Sequence, residues 1–239
     1  MRPEAVLFDL DDTLVDWEGS IDRCVRDLGG DEAADALLRW VREHHWIRRD
    51  GVVVHRNTWK LHELAHECWP AALPHLDAAE LALAIERFRE DLWVGFYPDV
   101  VPVLDELADT YRLGVLSNNR HLPSEVQRLR LFDWFEVTVT PPDGVYKPDG
   151  RAFAHGCAAL GLDAASVVYV GDSVLADVEG AHAAGLVPVW LDRHGDGWPV
   201  PPGVHRVTSL RELPAVLASL RSRYSVYQPP SGWISSPVT

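Results

Sequence analysis

The sequence predicts a doubly wound, Rossmann-like α/β fold: a mainly parallel sheet with helices on both faces, and a second, α-helical domain inserted after the first strand. Three observations carry this. From residue 98 onward, short apolar runs alternate with stretches of helical periodicity, the pattern of a parallel sheet wrapped by helices. A first apolar run, at residues 5–8, stands apart from the rest. Between them, residues 16–97 are dominated by helical spacing. With 239 residues, 47% of them hydrophobic, the chain can bury a sizeable core in one or two domains.

The elements follow in order. Ala5-Val6-Leu7-Phe8 is an unbroken apolar run of the kind buried on both faces of a sheet. In the insertion, residues 33–47 and 77–93 show helical spacing, and six of the ten tryptophans fall between residues 16 and 97. Residues 99–109 form a helical pattern, 111–116 a strand, 124–132 a helix and 135–140 a strand. Residues 149–160 are helical and stop at Gly161; 166–170 form a buried strand. A helix of small residues at 174–184 ends at Gly185. The strand at 186–191 contains Pro188, which places it near a sheet edge. A short strand near 205–207 and a helix at 210–221 complete the alternation. The expected division is therefore a core domain of residues 1–15 and 98–222, an inserted domain of residues 16–97, and a loosely ordered tail, rich in Ser and Pro, at 223–239.

Charge narrows the partners. Thirty-six acidic against 22 basic residues give a net charge of −14, a poor match for nucleic acid or an anionic membrane. No apolar stretch reaches membrane-spanning length. Three well-separated cysteines, Cys24, Cys68 and Cys157, fit neither a disulfide framework nor a zinc cluster. With a first strand that begins almost at the N-terminus, the expectation is a cytoplasmic protein. Oligomeric state is not legible.

The chemistry gathers at strand ends, where open parallel sheets bind ligands. The first run closes on Asp9, Asp11 and Asp12. Carboxylates this close raise one another's pKa, so a cation belongs among them, and oxygen ligands suit Mg²⁺. Other strands end in Ser117-Asn118 and in Gly171-Asp172, with Asp177 shortly after, and Lys147 lies in the loop after 135–140. A nucleophile candidate, a hydroxyl, a cation and metal-binding carboxylates thus share one rim. Asp12 reads as a turn former, and Arg151 is a weaker rival to Lys147.

These residues resemble the four signature motifs of the haloacid dehalogenase-like (HAD) superfamily of hydrolases. Phe8-Asp9-Leu10-Asp11-Asp12-Thr13-Leu14 is similar to the first, Ser117-Asn118 to the second, Lys147-Pro148 to the third, and Gly171-Asp172-Ser173 with Asp177 to the fourth. The insertion resembles the family's type-1 helical cap, which closes over bound substrate. The resemblance implies adjacent strands for Asp9 and Asp172. It implies that Asp9 is the nucleophile and Asp11 the acid and base. It implies a Mg²⁺ held by Asp9, by the backbone carbonyl of Asp11 and by Asp172, with Asp177 supporting it. Ser117, Asn118 and Lys147 would bind the phosphate. Asp11 favours the phosphatase branch, because the superfamily's dehalogenases lack an acid there: a departing halide needs no proton. The implied activity is a Mg²⁺-dependent hydrolase of a small phosphorylated metabolite, working through an aspartyl-phosphate. A phosphomutase, another hydrolase of the superfamily, and a non-catalytic binding protein on the same fold are the alternatives.

Two clusters in the insertion compete for attention. His62-Glu63-Leu64-Ala65-His66 matches the zinc-binding H-E-x-x-H pattern, but it lies in the inserted domain just before Pro70. It is read here as part of a Trp-lined helix face. His44, His45, Arg48, Arg49, His55 and Arg56 read as a solvated face, from which one or two side chains could reach a substrate, and Trp17 lies close to the catalytic loop in sequence.

Overall fold

A computed structural model describes residues 3–16, 19, 23, 25–36, 46–49, 52–55, 69, 70, 72–91, 95–119, 133–193, 195 and 199–225. Its centre is a six-stranded parallel sheet. In chain order the elements are β1 (Ala5–Phe8), a hairpin of β2 (Trp46–Arg49) and β3 (Val52–His55), α1 (Ala78–Asp91), α2 (Val100–Ala108), β4 (Arg112–Leu116) and β5 (Val137–Val139). There follow α3 (Gly150–Leu160), β6 (Val167–Gly171), α4 (Gly180–Ala183), β7 (Val187–Leu191), β8 (His205–Val207) and α5 (Leu213–Ser225). The sheet order is β5-β4-β1-β6-β7-β8, so β1 lies inside, between β4 and β6.

Alternation along β1 explains the double winding. Val6 and Phe8 point to one face, into a core with Val103, Leu104 and Leu107 of α2 and Leu213, Leu217 and Leu220 of α5. Ala5 and Leu7 point to the other, toward Phe153, Cys157 and Leu160 of α3. Each fully buried Leu or Phe contributes about 1.5–3 kcal/mol, so both faces must be covered. Gly161 ends α3 as expected: it takes the left-handed conformation at φ 64°, which costs a residue without Cβ little.

Pro188 lies near the sheet edge as expected: β7 is one strand in from β8, the edge strand, and pairing with β8 begins only at Val189, so at Pro188 that side of the strand is still open. The helix expected at 210–221 runs on to Ser225 as α5. Two details differ from the sequence-based expectation. The small-residue helix at 174–184 begins as a wide π-helical turn, Val174–Glu179, before α4. The insertion holds a hairpin, where Trp46 pairs with His55 and Arg49 with Val52 in antiparallel register. Helix dominates the rest of the described insertion, chiefly at residues 25–36 and in α1.

The insertion leaves and rejoins the sheet domain through paired connectors. Val15 and Phe96 form an antiparallel bridge. Tyr97 N–H donates to Leu14 O at 3.0 Å, and Asp16 N–H to Gly95 O at 3.3 Å. The expected helix at 124–132, the H-E-x-x-H segment, Trp17 and residues 226–239 lie outside the described residues.

Candidate active site

Parallel register brings the polar strand ends together. Phe8 lies opposite Val115 of β4 and Val170 of β6. Asp9 extends the ladder, its N–H donating to Val170 O at 2.9 Å. Ser117 and Asp172 therefore emerge just beyond their strands on either side of Asp9, at the carboxyl rim where ligands bind.

Lys147 reaches this rim from the loop between β5 and α3. Asn118 fixes the loop: Lys147 N–H donates to Asn118 Oδ1 at 2.9 Å, and Asn118 Nδ2 donates back to Lys147 O at 3.2 Å. The buried ammonium has three protons and meets three acceptors. These are Asp177 Oδ1 at 2.6 Å, Asp9 Oδ1 at 2.7 Å and the Tyr169 hydroxyl at 2.8 Å. Tyr169 in turn donates to Leu116 O at 2.9 Å. The Asn118 side chain is thus engaged with the Lys147 loop, and the three Lys147 protons all have acceptors within the chain, one of them Asp9, as its expected restraint of that residue requires.

Asp177 sits beneath this cluster. The π-helical turn folds its carboxylate back so that Oδ1 accepts from Lys147 and Oδ2 accepts from Ser173 N–H at 3.0 Å. With both oxygens engaged, Asp177 orients Lys147. Gly171 makes room for it: a Cβ there would lie 2.4 Å from Asp177 Cγ. Gly171→Ala must therefore push Asp177 away from Lys147. The expected result is a fall in kcat/KM of about tenfold or more with the fold retained, checked by steady-state kinetics and circular dichroism.

The electrostatics call for a cation. Asp9, Asp172 and Asp177 each offer an oxygen within 4.8 Å of the others. Burial lifts Asp9 to about 6; Lys147 opposes that rise and Asp177 adds to it. Asp172 is held well above the ordinary carboxylate range, by burial first and then by the fields of Asp177, Asp12 and Asp9. Burial also works against the Lys147 ammonium, but Asp177 and Asp9 outweigh it and keep the lysine charged. Three carboxylates against one ammonium leave an excess of negative charge that a divalent ion would neutralise. Asp9 gives one oxygen to Lys147, and Asp172 gives one to the Thr13 hydroxyl at 3.2 Å. Each keeps its second oxygen, so the donor set fits a hard metal ion.

The loop after β1 is tightly turned. Asp12 has φ 56°, and its N–H donates to Val15 O at 2.8 Å, in keeping with a turn-forming role. Asp11 Oδ1 accepts from Asn119 Nδ2 at 3.4 Å. Ser117, buried, accepts from Asn119 N–H at 3.1 Å and keeps its hydroxyl proton for another acceptor. Arg151 is no rival to Lys147: it is exposed and paired with Asp149 at 2.6 Å. Sequence reasoning assigned no role to Asn119, Thr13 or Tyr169. Tyr169 carried a usable signal, since a tyrosine in an otherwise apolar buried strand must find a partner for its hydroxyl.

Comparison with known proteins agrees with this geometry. The model of the haloacid dehalogenase-like hydrolase family matches residues 3–185. The chain is 33% identical over 232 residues to the plasmid phosphoglycolate phosphatase of Cupriavidus necator, covering 91% of this chain and 94% of the relative. It is 28% identical over 227 residues to (S)-2-haloacid dehalogenase 4A of Burkholderia cepacia, covering 90% and 94% respectively. Among solved structures, a HAD phosphatase from Thermococcus onnurineus is similar with a TM-score of 0.58 and 29% identity, covering 90% of this chain and 97% of that one.

Proposed function

We propose, from the premise that the chain belongs to the haloacid dehalogenase-like hydrolase family, that it is a phosphomonoester hydrolase of a small phosphorylated metabolite, with Asp9 as its nucleophile. The single observation behind the choice of branch is Asp11. It stands two residues after Asp9 on the same loop and is hydrogen-bonded by Asn119. A phosphate ester loses an alkoxide that needs a proton, whereas a haloacid loses halide, which does not. A carboxylic acid at this position serves the first reaction and has no task in the second.

In the first step an Asp9 oxygen bonds to phosphorus as the ester P–O bond breaks, and Asp11 gives its proton to the departing oxygen. In the second step water attacks phosphorus, Asp11 takes its proton, and the bond to Asp9 breaks. Lys147 donates to Asp9 Oδ1 and so fixes the orientation in which the carboxylate meets phosphorus. The Ser117 hydroxyl is the side-chain donor for the phosphoryl group. Asp9, Asp172 and the Asp11 backbone carbonyl would hold Mg²⁺. When bound, that ion neutralises charge on the nucleophile and on the phosphoryl oxygens. Residues 16–97 act as the cap, closing over the leaving group and excluding water. Their paired connectors at Val15 and Phe96 are consistent with a single hinge.

A screen of phosphorylated metabolites and an aryl phosphate tests the activity. The expected result is turnover with Mg²⁺ that disappears on adding EDTA, and no halide release from 2-haloacids. Halide release without phosphate release would reverse the assignment.

Metal binding is also expected to depend on pH. The Asp9 carboxyl is raised from 3.8 to about 6, so it favours the metal-free fold while protonated, and that stability is lost as pH rises through about 6. Protons and metal compete for the same oxygens. The rise in Tm on adding Mg²⁺ is therefore expected to be larger near about pH 7.5 than near about pH 5. Thermal melts at both values, with and without Mg²⁺, check this.

A further inference from the structure

We propose that Arg193 is a positioning residue that clasps the catalytic loop to the connectors of the insertion and, through Thr13, sets the orientation of Asp172. The inference rests on the metal site proposed above and concerns a residue far from it in sequence.

Arg193 directly follows the β7–Asp192 segment, and its side chain is only 10% exposed. One arm of the guanidinium, Nη1, donates to Asp99 Oδ2 at 3.0 Å. The other, Nη2, donates to the carbonyl of Thr13 at 2.8 Å. The guanidinium also lies over the ring of Tyr97, 4.0 Å from its centre. Asp99 is anchored in turn by the Ser209 hydroxyl at 2.7 Å and by Leu210 N–H at 2.9 Å. One buried cation thus ties together the loop after β1, the point where the insertion rejoins the core, and the turn before α5.

The geometry gives this clasp a task beyond stability. Thr13 is wholly buried and engaged at both ends: its carbonyl accepts from Arg193 and its hydroxyl donates to Asp172 Oδ1 at 3.2 Å. A hydroxyl can orient a carboxylate only if its own backbone is fixed, and Arg193 fixes that backbone. Next to Thr13, Leu14 O accepts from Tyr97 N–H, so the held loop is continuous with the paired connectors. A planar guanidinium can meet two acceptors in a fixed fork while stacking on an aromatic ring; an ammonium cannot. Groups that orient metal ligands commonly change metal affinity by about 10–100-fold when lost.

The test uses the metal-free full chain and Mg²⁺ alone, by titration calorimetry. Arg193→Met combined with Asp99→Asn removes both buried charges, so neither is left without its partner. This double variant and Thr13→Val are each expected to keep the wild-type circular dichroism and to bind Mg²⁺ about tenfold more weakly. The triple variant is expected to bind no more weakly than the double, because both changes break one chain of contacts. Wild-type affinity in the double variant, or a multiplied loss in the triple, would overturn the proposal. If the double variant fails to fold, Arg193→Lys, which keeps the charge and gives up the fork, reads the same affinity with the same two outcomes. A wild-type chain that binds Mg²⁺ but hydrolyses no phosphate ester would instead overturn the proposed function and leave this comparison intact.

Discussion

Asp9→Asn is expected to lower turnover by about a thousandfold or more while the protein keeps its fold. Asparagine has nearly the shape of aspartate, so packing under the loop is preserved. Its amide oxygen can still accept from Lys147, but the group is no nucleophile. The stability side is equally specific. In the metal-free protein, burial and the field of Asp177 hold Asp9 well above its ordinary carboxylate value. Removing that charge should leave Tm unchanged or raise it near neutral pH, and should shrink the stabilisation given by Mg²⁺. Kinetics and melting curves on one preparation check both halves. A variant with wild-type turnover would mean that Asp9 does not attack the substrate.

Lys147→Met carries the second largest effect, and here activity and stability fall together. Lys147 is 4% exposed and sits between Asp9 and Asp177. Its loss leaves two buried carboxylates and the Tyr169 hydroxyl without their shared donor. Breaking a buried pair by removing one partner typically costs about 3–5 kcal/mol, which for a chain of this size lowers Tm by about 10 °C. Hydrolysis should fall by about a hundredfold or more, since Asp9 also loses the group that aims it. The double variant Lys147→Met with Asp9→Asn is expected to recover part of the lost stability, because one of the stranded charges is gone. Melting curves of the two single variants and the double give the coupling directly. Simple additivity would mean that the contact seen here contributes little.

Much of the sheet was legible because buried parallel strands are written as short apolar runs. Ala5–Phe8 and Val167–Gly171 could hardly be read otherwise. Pro188 rightly placed its strand near the sheet edge, one in from β8, whose pairing starts a residue later. The hairpin of Trp46–Arg49 and Val52–His55 hid among charged and histidine residues that read as a solvated face. Asp50-Gly51 between its strands is a common two-residue hairpin signal.

At the site, the residue types were legible and their division of labour was not. Strand ends announce carboxylates, but which of them touches Lys147 depends on a loop and a π-helical turn that have no periodic signature. Asn118 could be placed at the rim, yet its partner is backbone 29 residues away. Arg193 carries no motif; only the folded chain brings it to Thr13 and Asp99. Sequence pattern reports burial and repeat. It does not report which long-range donor an acceptor will meet.

The most direct measurement is a trap for the covalent enzyme. Asp11→Asn can still lose a good aryl leaving group, but it lacks the base that activates water. Mixed with an aryl phosphate and Mg²⁺, quenched in acid and digested, this variant is expected to yield a peptide carrying one phosphoryl group on Asp9. Aryl alcohol released with no phosphoryl group on that peptide, or with the group on another residue, would contradict the account.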